Sequence, residues 1–479
     1  MAQDAQFSTP LPSGASNSDR RARLKALDEE MDALESRFRR LDAQRQIVAQ
    51  ALDSIRYPVL TLPPEVTAHI FSYYVDNPHI GYPGGDDPGD GPLPLASVCR
   101  SWRNICLSLH SLWSSLRVYP LDHSQSHLIR LLQCWLPRAG NHPVDLAIFR
   151  PLTSASAFDL LSSISQFSPQ WRTLRLTLLA PWSFPNERLQ GRLPRLSKLI
   201  INVLADRGVD PGWTITAFSD APSLREVRLY GASLRCITLP WIQLTHLECK
   251  MESSDCVRIL QRTPQLEVLN VLNVYFDNDS DPNTGAVALT HLHTLKFEYD
   301  RSGEILDFLT LPALKTIELS ALYPGGPERF SALGLRSMWS LQSIHLMGMA
   351  SKISNLCLRS APSAEEVEIR HTSFEWPEDT LDELVELLHH DNAFLPVLRT
   401  MTLSHCTMQI SVEPLAHMLL SRCHGGRPGV ARLESFRLSF WHAEMDINVE
   451  EIKTGLRPLM DAGMEVEIGF NYPYRPEYQ

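Results

Sequence analysis

The 479-residue sequence lacks most of the features that mark an enzyme, a membrane protein or a secreted protein. It has no P-loop, no Gly-x-Ser-x-Gly elbow, no His-Glu-x-x-His and no Gly-x-Gly-x-x-Gly. The phosphate cradles, nucleophiles and metal ligands that those patterns supply are therefore missing, and no catalytic centre, cofactor or metal is expected. No apolar run approaches the ~20 residues that span a bilayer. The opening "MAQDAQFSTPLPSGASNSD" lacks the basic-then-apolar order of a signal peptide. The nine cysteines are odd in number, form no Cys-x-x-Cys pair and sit beside apolar neighbours, as in "LRCITL" and "NLCLRS". That pattern fits buried free thiols in a reducing compartment, cytoplasmic and/or nuclear. No run of Lys or Arg forms a patch that would attract phosphate backbones and the net charge is −11, so neither nucleic acid nor a membrane surface is an expected partner.

What is present is ordinary globular material, 44% hydrophobic and 21% charged, in a chain long enough for a large core. Residues 1–18 are rich in Ser, Pro, Ala and Gln and read as a disordered tail. Over 19–56 a seam recurs at alternating steps of three and four: Leu24, Leu27, Met31, Leu34, Phe38, Leu41, Arg45, Val48, Leu52 and Ile55. This is an a/d heptad pattern with one polar break, at Arg45, and predicts a coiled-coil helix of about 35 residues. Its apolar edge can meet a second copy, another protein or the body of this chain. Tyr57-Pro58 ends it, because proline disfavours the α conformation in the residue before it.

The next segment, 57–120, opens with "LPPEVTAHIFSYYV". Pro63 and Pro64 suit a first helical turn, where their missing N–H groups have no intrahelical partner. Glu65 suits the positive end of the dipole. Val66, Ile70, Phe71 and Tyr74 then fall on one side at helical spacing. A Gly/Asp loop at 79–93 follows. After it, Leu95, Val98, Cys99, Trp102, Ile105, Cys106 and Leu109 continue at helical spacing, and "SLWSSLRV" adds one more apolar turn. Three short helices make a marginal core, and such a unit leaves apolar surface for a partner or caps the next domain.

This order of elements resembles an F-box, in the F-box-like form common in mushroom-forming fungi. The resemblance rests on Leu62-Pro63-Pro64-Glu65-Val66, Ile70-Phe71, Val98-Cys99-Arg100-Ser101-Trp102-Arg103 and Leu112-Trp113, across about 60–118. It implies docking to the Skp-type linker subunit of a cullin–RING (SCF) ubiquitin ligase. By similarity, Leu62, Pro63, Val66, Ile70, Leu95, Val98, Cys99 and Trp102 are the linker-binding or box-core positions. The Gly/Asp loop lengthens the link between the first two helices relative to the family pattern, which leaves the contacts of 72–94 open.

The segment 121–479 repeats, from about residue 170, a short motif, often Pro and then x-L-x-x-L-x-L. It reads "PQWRTLRL", "PRLSKLII", "PSLREVRL", "IQLTHLEC", "PQLEVLNV", "THLHTLKF", "PALKTIEL", "WSLQSIHL", "PSAEEVEI", "PVLRTMTL" and "ARLESFRL". Steps of 20 to 35 residues match irregular leucine-rich repeats. Each L-x-L alternates like a half-buried strand, and helical stretches such as "DCVRILQRT", "LDELVELLHH" and "PLAHMLLSR" lie between. The expected fold is α/β: a coiled-coil helix, a small three-helix box, then a leucine-rich-repeat-like solenoid with a parallel concave sheet. The residue between the two inward positions of each strand would face outward on that sheet. These are Arg175, Ile200, Arg228, Glu248, Asn270, Lys296, Glu318, His345, Glu368, Thr402 and Arg437. The row mixes both signs, which suits a protein partner better than a polyanion.

Several other groupings carry less. Asp277, Asp279 and Asp281 have EF-hand spacing, but Pro282 and Ala288 stand where that loop needs glycine and glutamate. His291 and His293 have no third ligand nearby, and Cys423-His424 alone is not a nucleophile pair. Two functions remain: a ligase adaptor that presents an unknown protein substrate, or a self-associating coiled-coil scaffold with no ubiquitin-ligase role.

Overall fold

The computed structural model describes residues 16–54, 61–75, 79–80, 91–119, 125–152, 154–179, 184–204, 214–231, 236–275, 285–298, 303–322, 325–370, 381–406, 412–424, 427–441 and 449–471. Most of the tail expected at 1–18, Ile55, Tyr57-Pro58, most of the Gly/Asp loop, and Asp277, Asp279 and Asp281 lie outside these residues. The chain forms two compact units, Met1–Ile70 and Phe71–Gln479.

Helices in chain order are α1 (Asn17–Ser54), α2 (Pro64–Tyr74), α3 (Pro92–Val98), α4 (Arg100–Ser108), α5 (Gln125–Trp135), α6 (Ser154–Ile164), α7 (Asn186–Leu189), α8 (Ser253–Leu260), α9 (Gly326–Ser337), α10 (Ser351–Arg359), α11 (Asp382–His390), α12 (Val412–Cys423) and α13 (Val449–Asp461). Strands are β1 (His79–Ile80), β2 (Ser115–Val118), β3 (Val144–Leu152), β4 (Trp171–Leu179), β5 (Lys198–Leu204), β6 (Glu226–Tyr230), β7 (His246–Glu252), β8 (Val268–Tyr275), β9 (Val287–Ala288), β10 (Thr294–Glu298), β11 (Leu309–Thr310), β12 (Thr316–Ser320), β13 (Ser343–Met347), β14 (Glu366–Arg370), β15 (Thr400–Cys406), β16 (Ser435–Trp441) and β17 (Glu465–Asn471).

In the smaller unit, α1 keeps its heptad seam uncovered. Leu24, Met31, Leu34, Phe38, Leu41, Val48 and Leu52 are each more than half exposed. Ser16 caps the helix, its hydroxyl donating to Asp19 and accepting the Asp19 N–H. Lys25–Glu29 and Arg39–Glu35 pair along its surface at helical spacing.

The larger unit is built on one open parallel sheet. Among the described residues it has fifteen strands in chain order, with only β9 and β11 set aside as a separate two-stranded pair. The repeat motif accounts for the core. Its leading positions, from Trp171 and Leu196 to Leu398 and Leu433, and both strand positions that follow in each unit are at most 2% exposed. The core-facing side chains of the helices join the same core cluster, so the helices cover that face of the sheet. The turns entering the strands are also locked in register. The N–H groups of Ser197, Arg225, Thr245, Glu267, His293, Lys315, Gln342, Glu365, Arg399 and Glu434 each donate to the equivalent turn carbonyl of the preceding unit at 2.8–3.0 Å. Each unit thereby satisfies its backbone through its neighbour, which is why the array must be continuous.

The structure departs from the sequence pattern in three places. The helical spacing from Leu95 to Leu109 is split between α3 and α4, because Cys99 is extended (φ −155°, ψ 171°) and its sulfur accepts the Trp102 N–H as a cap. The segment "SLWSSLRV" is a 3-10 turn followed by strand β2, so the sheet begins inside the segment assigned to the box. Strand β3 precedes the first repeat motif and pairs with both β2 and β4.

Candidate functional site

Two surfaces stand out. The first is the box. Its helix α2 is covered on one side and leaves apolar side chains uncovered on another. Thr67 and Phe71 are buried, whereas Val66, Ile70, Tyr73 and Tyr74 are exposed. Pro63 lies just before the helix, and its carbonyl accepts the N–H groups of Val66 and Thr67 and the Thr67 hydroxyl. The two prolines therefore fix the helix start without wasting a donor. A helix with one apolar face in the core and a second left in water is shaped to bury that second face elsewhere.

The eight positions singled out by resemblance fall into different environments. In the smaller unit, Leu62, Pro63, Val66 and Ile70 are exposed. In the larger unit, Val98 is 61% exposed at the end of α3, and Leu95 is buried among the core side chains. Cys99 is half-buried and caps α4. Trp102 is half-buried and meets the Phe71 ring edge-on at 4.9 Å. Arg103 ties α4 back to α3, its Nε donating to the Ala96 carbonyl at 2.9 Å. Trp113 is buried, donates from Nε1 to the Cys106 carbonyl at 2.8 Å and packs edge-on against Trp135. Tyr73, Tyr74 and Leu93 are exposed apolar residues of the box that the motif did not single out. Their exposure follows from packing and has no sequence signal.

The second surface is the sheet face opposite the helices. The outward residues expected to form a row do form one. Arg175, Ile200, Arg228, Glu248, Asn270 and Lys296 are successive register partners. Glu318, His345, Glu368, Thr402 and Arg437 continue the series. The row extends at each end, to Ala147 and Arg117 on one side and to Glu467 on the other.

Much of the row is neutralised by cross-strand pairing. Arg228 bridges Glu226 (3.0 Å) and Glu248 (3.5 Å), and the Tyr230 hydroxyl donates to Glu248. Lys296 meets Glu318 at 2.7 Å. Glu368 receives His345 (3.0 Å), Arg370 (2.8 Å) and the Ser404 hydroxyl (3.2 Å). The hydrogen bond from His345, and then Arg370, holds the Glu368 carboxyl down at about 2 against the opposing effect of burial. Glu298 is shifted the other way: burial raises it, and Glu318 and Glu248 add like-charge repulsion.

Arg175 differs from these. Its guanidinium lies over the Phe149 ring at 4.5 Å and its Nε has no hydrogen-bond partner. Burial lowers its affinity for the proton, and Arg117 and Arg228 add repulsion. Sequence reading missed Arg117, Ala147 and Phe149, because β2 and β3 carry no copy of the repeat motif.

No group of three or more His, Cys, Asp or Glu among the described residues could hold a metal ion. His293 bonds the neighbouring Thr294 hydroxyl. No disulfide joins the described cysteines, and no described helix is long and apolar enough to cross a membrane.

No curated protein matches the chain. Residues 59–118, the segment that spans α2 to β2, match the F-box-like family model, and on that match the chain carries an F-box-like domain there.

Proposed function

We propose that the chain is a non-catalytic substrate adaptor of an SCF-type ubiquitin ligase. The box docks the Skp-type linker subunit, and through it cullin, while the open sheet face holds a protein substrate. The observation that carries this reading is the outward apolar side of α2, with Val66 44% and Ile70 48% exposed on a helix whose other side is core. Burying the exposed parts of two such side chains is worth about 1 kcal/mol each, ample for a hot spot inside a larger interface. The adaptor makes and breaks no bonds. It raises the local concentration of substrate lysines near the charged ubiquitin carrier. The open face fits the substrate role because its charges are spread over many strands and both signs occur.

The test is co-purification with a Skp-type subunit. Val66→Asp and Ile70→Asp change exposed residues, so folding survives and linker binding is expected to be lost. Trp102→Ala should weaken both folding and binding, through Phe71. A well-folded wild-type chain that fails to hold the subunit refutes the reading.

A second reading, a self-associating scaffold, is favoured by α1. In the heptad frame with Leu24 at a, positions e are Asp28, Glu35 and Asp42, and positions g are Arg23, Glu30 and Arg37. A parallel pair sets Arg23 against Asp28 and Arg37 against Asp42, with one like-charge contact at Glu30 and Glu35, whereas an antiparallel pair sets all three acidic e positions against one another. Self-association is therefore expected to be parallel and in register, and sedimentation of wild type against Leu34→Asp/Leu41→Asp decides it. Self-association through α1 is compatible with linker docking through α2, whereas a scaffold with no ubiquitin-ligase role is not, and the co-purification decides between the two.

A further inference from the structure

We propose that Arg117 and Arg175 form an anion site that holds an acidic peptide segment of the protein carried on the sheet face. Arg117, Ala147 and Arg175 are register partners on three adjacent strands, all on the outward side. Neighbouring strands stand about 4.8 Å apart, so the two arginines flank a floor made only of the alanine methyl group. Phe149, two residues beyond Ala147 on the same side of β3, receives both guanidinium groups, at 6.0 Å for Arg117 and 4.5 Å for Arg175. Tyr119 stacks on the same ring, with centroids 4.9 Å apart and planes 10° apart. One aromatic platform thus gathers two positive charges that would otherwise repel each other.

No carboxylate of the described residues neutralises them. Asp145, on the same side of β3, is engaged bidentately by Arg172. Glu226 is shared by Lys198 and Arg228, and Glu248 by Arg228 and Tyr230. Elsewhere on the row the charges are paired, as at Lys296–Glu318 and Arg437–Glu467. Here Ile200 separates Arg175 from Arg228, and the Nε of Arg175 donates to nothing. A half-buried guanidinium that lacks an acceptor is an incomplete site. Its planar fork matches a carboxylate bidentately, and the ring beneath holds it ready.

The assignment rests on the sheet face being the partner-holding surface and is independent of linker docking. The test uses the full chain and a fluorescent peptide of alternating Glu and Ser, with a Gln-for-Glu control and a phosphoserine version of that control. The Glu peptide is expected to bind with a salt-sensitive affinity. Arg175→Gln and the exposed Arg117→Gln should each weaken it about tenfold or more. Arg175→Lys should keep part of the affinity, since it keeps the charge and loses the fork. Arg437→Gln, at the far end of the row, should change nothing. Equal affinity in both glutamine variants overturns the proposal, as does binding of the phosphoserine peptide alone. Binding that emerges only when Asp86, Asp87 and Asp90 are changed to Asn also overturns it, by making the chain's own loop the occupant. The same preparations are tested for the Skp-type subunit. No peptide binding by a chain that holds the subunit overturns the anion site alone. Peptide binding by a chain that holds no subunit supports the site and refutes the adaptor role.

Discussion

Replacing Arg422 by Leu is expected to destabilise the repeat region by about 2–3 kcal/mol. The side chain sits on α12, only 2% exposed, and its guanidinium serves as a three-way backbone anchor. Nε donates to the Leu388 carbonyl at 2.9 Å, Nη1 to Leu395 at 2.9 Å and Nη2 to Phe394 at 2.8 Å. Leu388 lies in the last turn of α11, where carbonyls have no intrahelical donor. Leu395 holds a left-handed backbone (φ +49°), unusual for a leucine, in the turn that leads to the next repeat motif. Three lost bonds to a charged donor, at about 1.5 kcal/mol each, amount to about 4–5 kcal/mol. Two effects reduce that loss. Burial, with Arg427 nearby, already pushes the Arg422 guanidinium down to about 10, so removing the charge relieves a desolvation penalty. Arg427 also still donates to Leu388 at 3.0 Å. The Phe394 carbonyl is left worst served. Guanidinium denaturation would read the loss, and trypsin cutting between α11 and β15 would localise it. Arg422→Lys should be no better, because one ammonium cannot serve three diverging carbonyls. A neutral or stabilising Arg422→Leu would refute the argument and mean that water replaces the anchor without penalty.

Gly231→Ala should be more severe. Gly231 has φ +71° and its added Cβ would lie 1.9 Å from the Val203 carbonyl oxygen, so backbone must move; a melting temperature within a degree of wild type would contradict this. Glu368 ties stability to acid. Its folded carboxyl is held at about 2, below its ordinary value of 4.5, so its contribution is complete above about pH 4.5 and is lost as pH falls towards 2. With the side chain 17% exposed, that contribution is about 2 kcal/mol, and Glu368→Gln should flatten the acid limb of stability measured between pH 6 and 2. Trp102→Ala removes the edge-on contact with Phe71 and should lower box stability by about 2–3 kcal/mol, read by hydrogen exchange across α4. Unchanged protection there would show that Phe71 is held by other contacts.

The row on the sheet was legible because its cause is local. A leucine at each alternate position of a strand can serve only one face, so the residue between, such as Glu248 or His345, must take the other. Equal motif spacing in every unit then fixes the register, and the turn ladder through Ser197 and Arg225 enforces it. Long-range packing was less legible. Strand β3 alternates Val144, Leu146 and Ile148 inward, yet it carries no leading leucine at the repeat's spacing, so the motif passed over it. Helix α9 carries a signal that went unused, since Gly325 in a left-handed conformation and Pro327 in the first turn mark its start. The break at Cys99 had the opposite character: apolar spacing ran straight through it, and only the extended backbone and a sulfur cap reveal two helices.

The division of labour within α2 lies deeper still. Val66, Ile70 and Phe71 are all apolar at helical spacing, and the sequence places them together on one side of the helix. It does not say which part the core consumes. In the structure Phe71 is covered and Val66 and Ile70 are not. A family resemblance names such positions together because both kinds are needed, one to build the box and one to use it. The physical distinction is burial, which depends on Trp102 reaching Phe71 from another helix. The same reasoning applies to Arg175. On its strand it is one more outward residue, and it becomes a candidate site only when Phe149 and Arg117, from strands the repeat motif does not mark, are brought beside it. Where the chain's own neighbours complete a charge, as at Glu368, the outcome is stability; where they leave one incomplete, as at Arg175, it is a surface that can recognise something else.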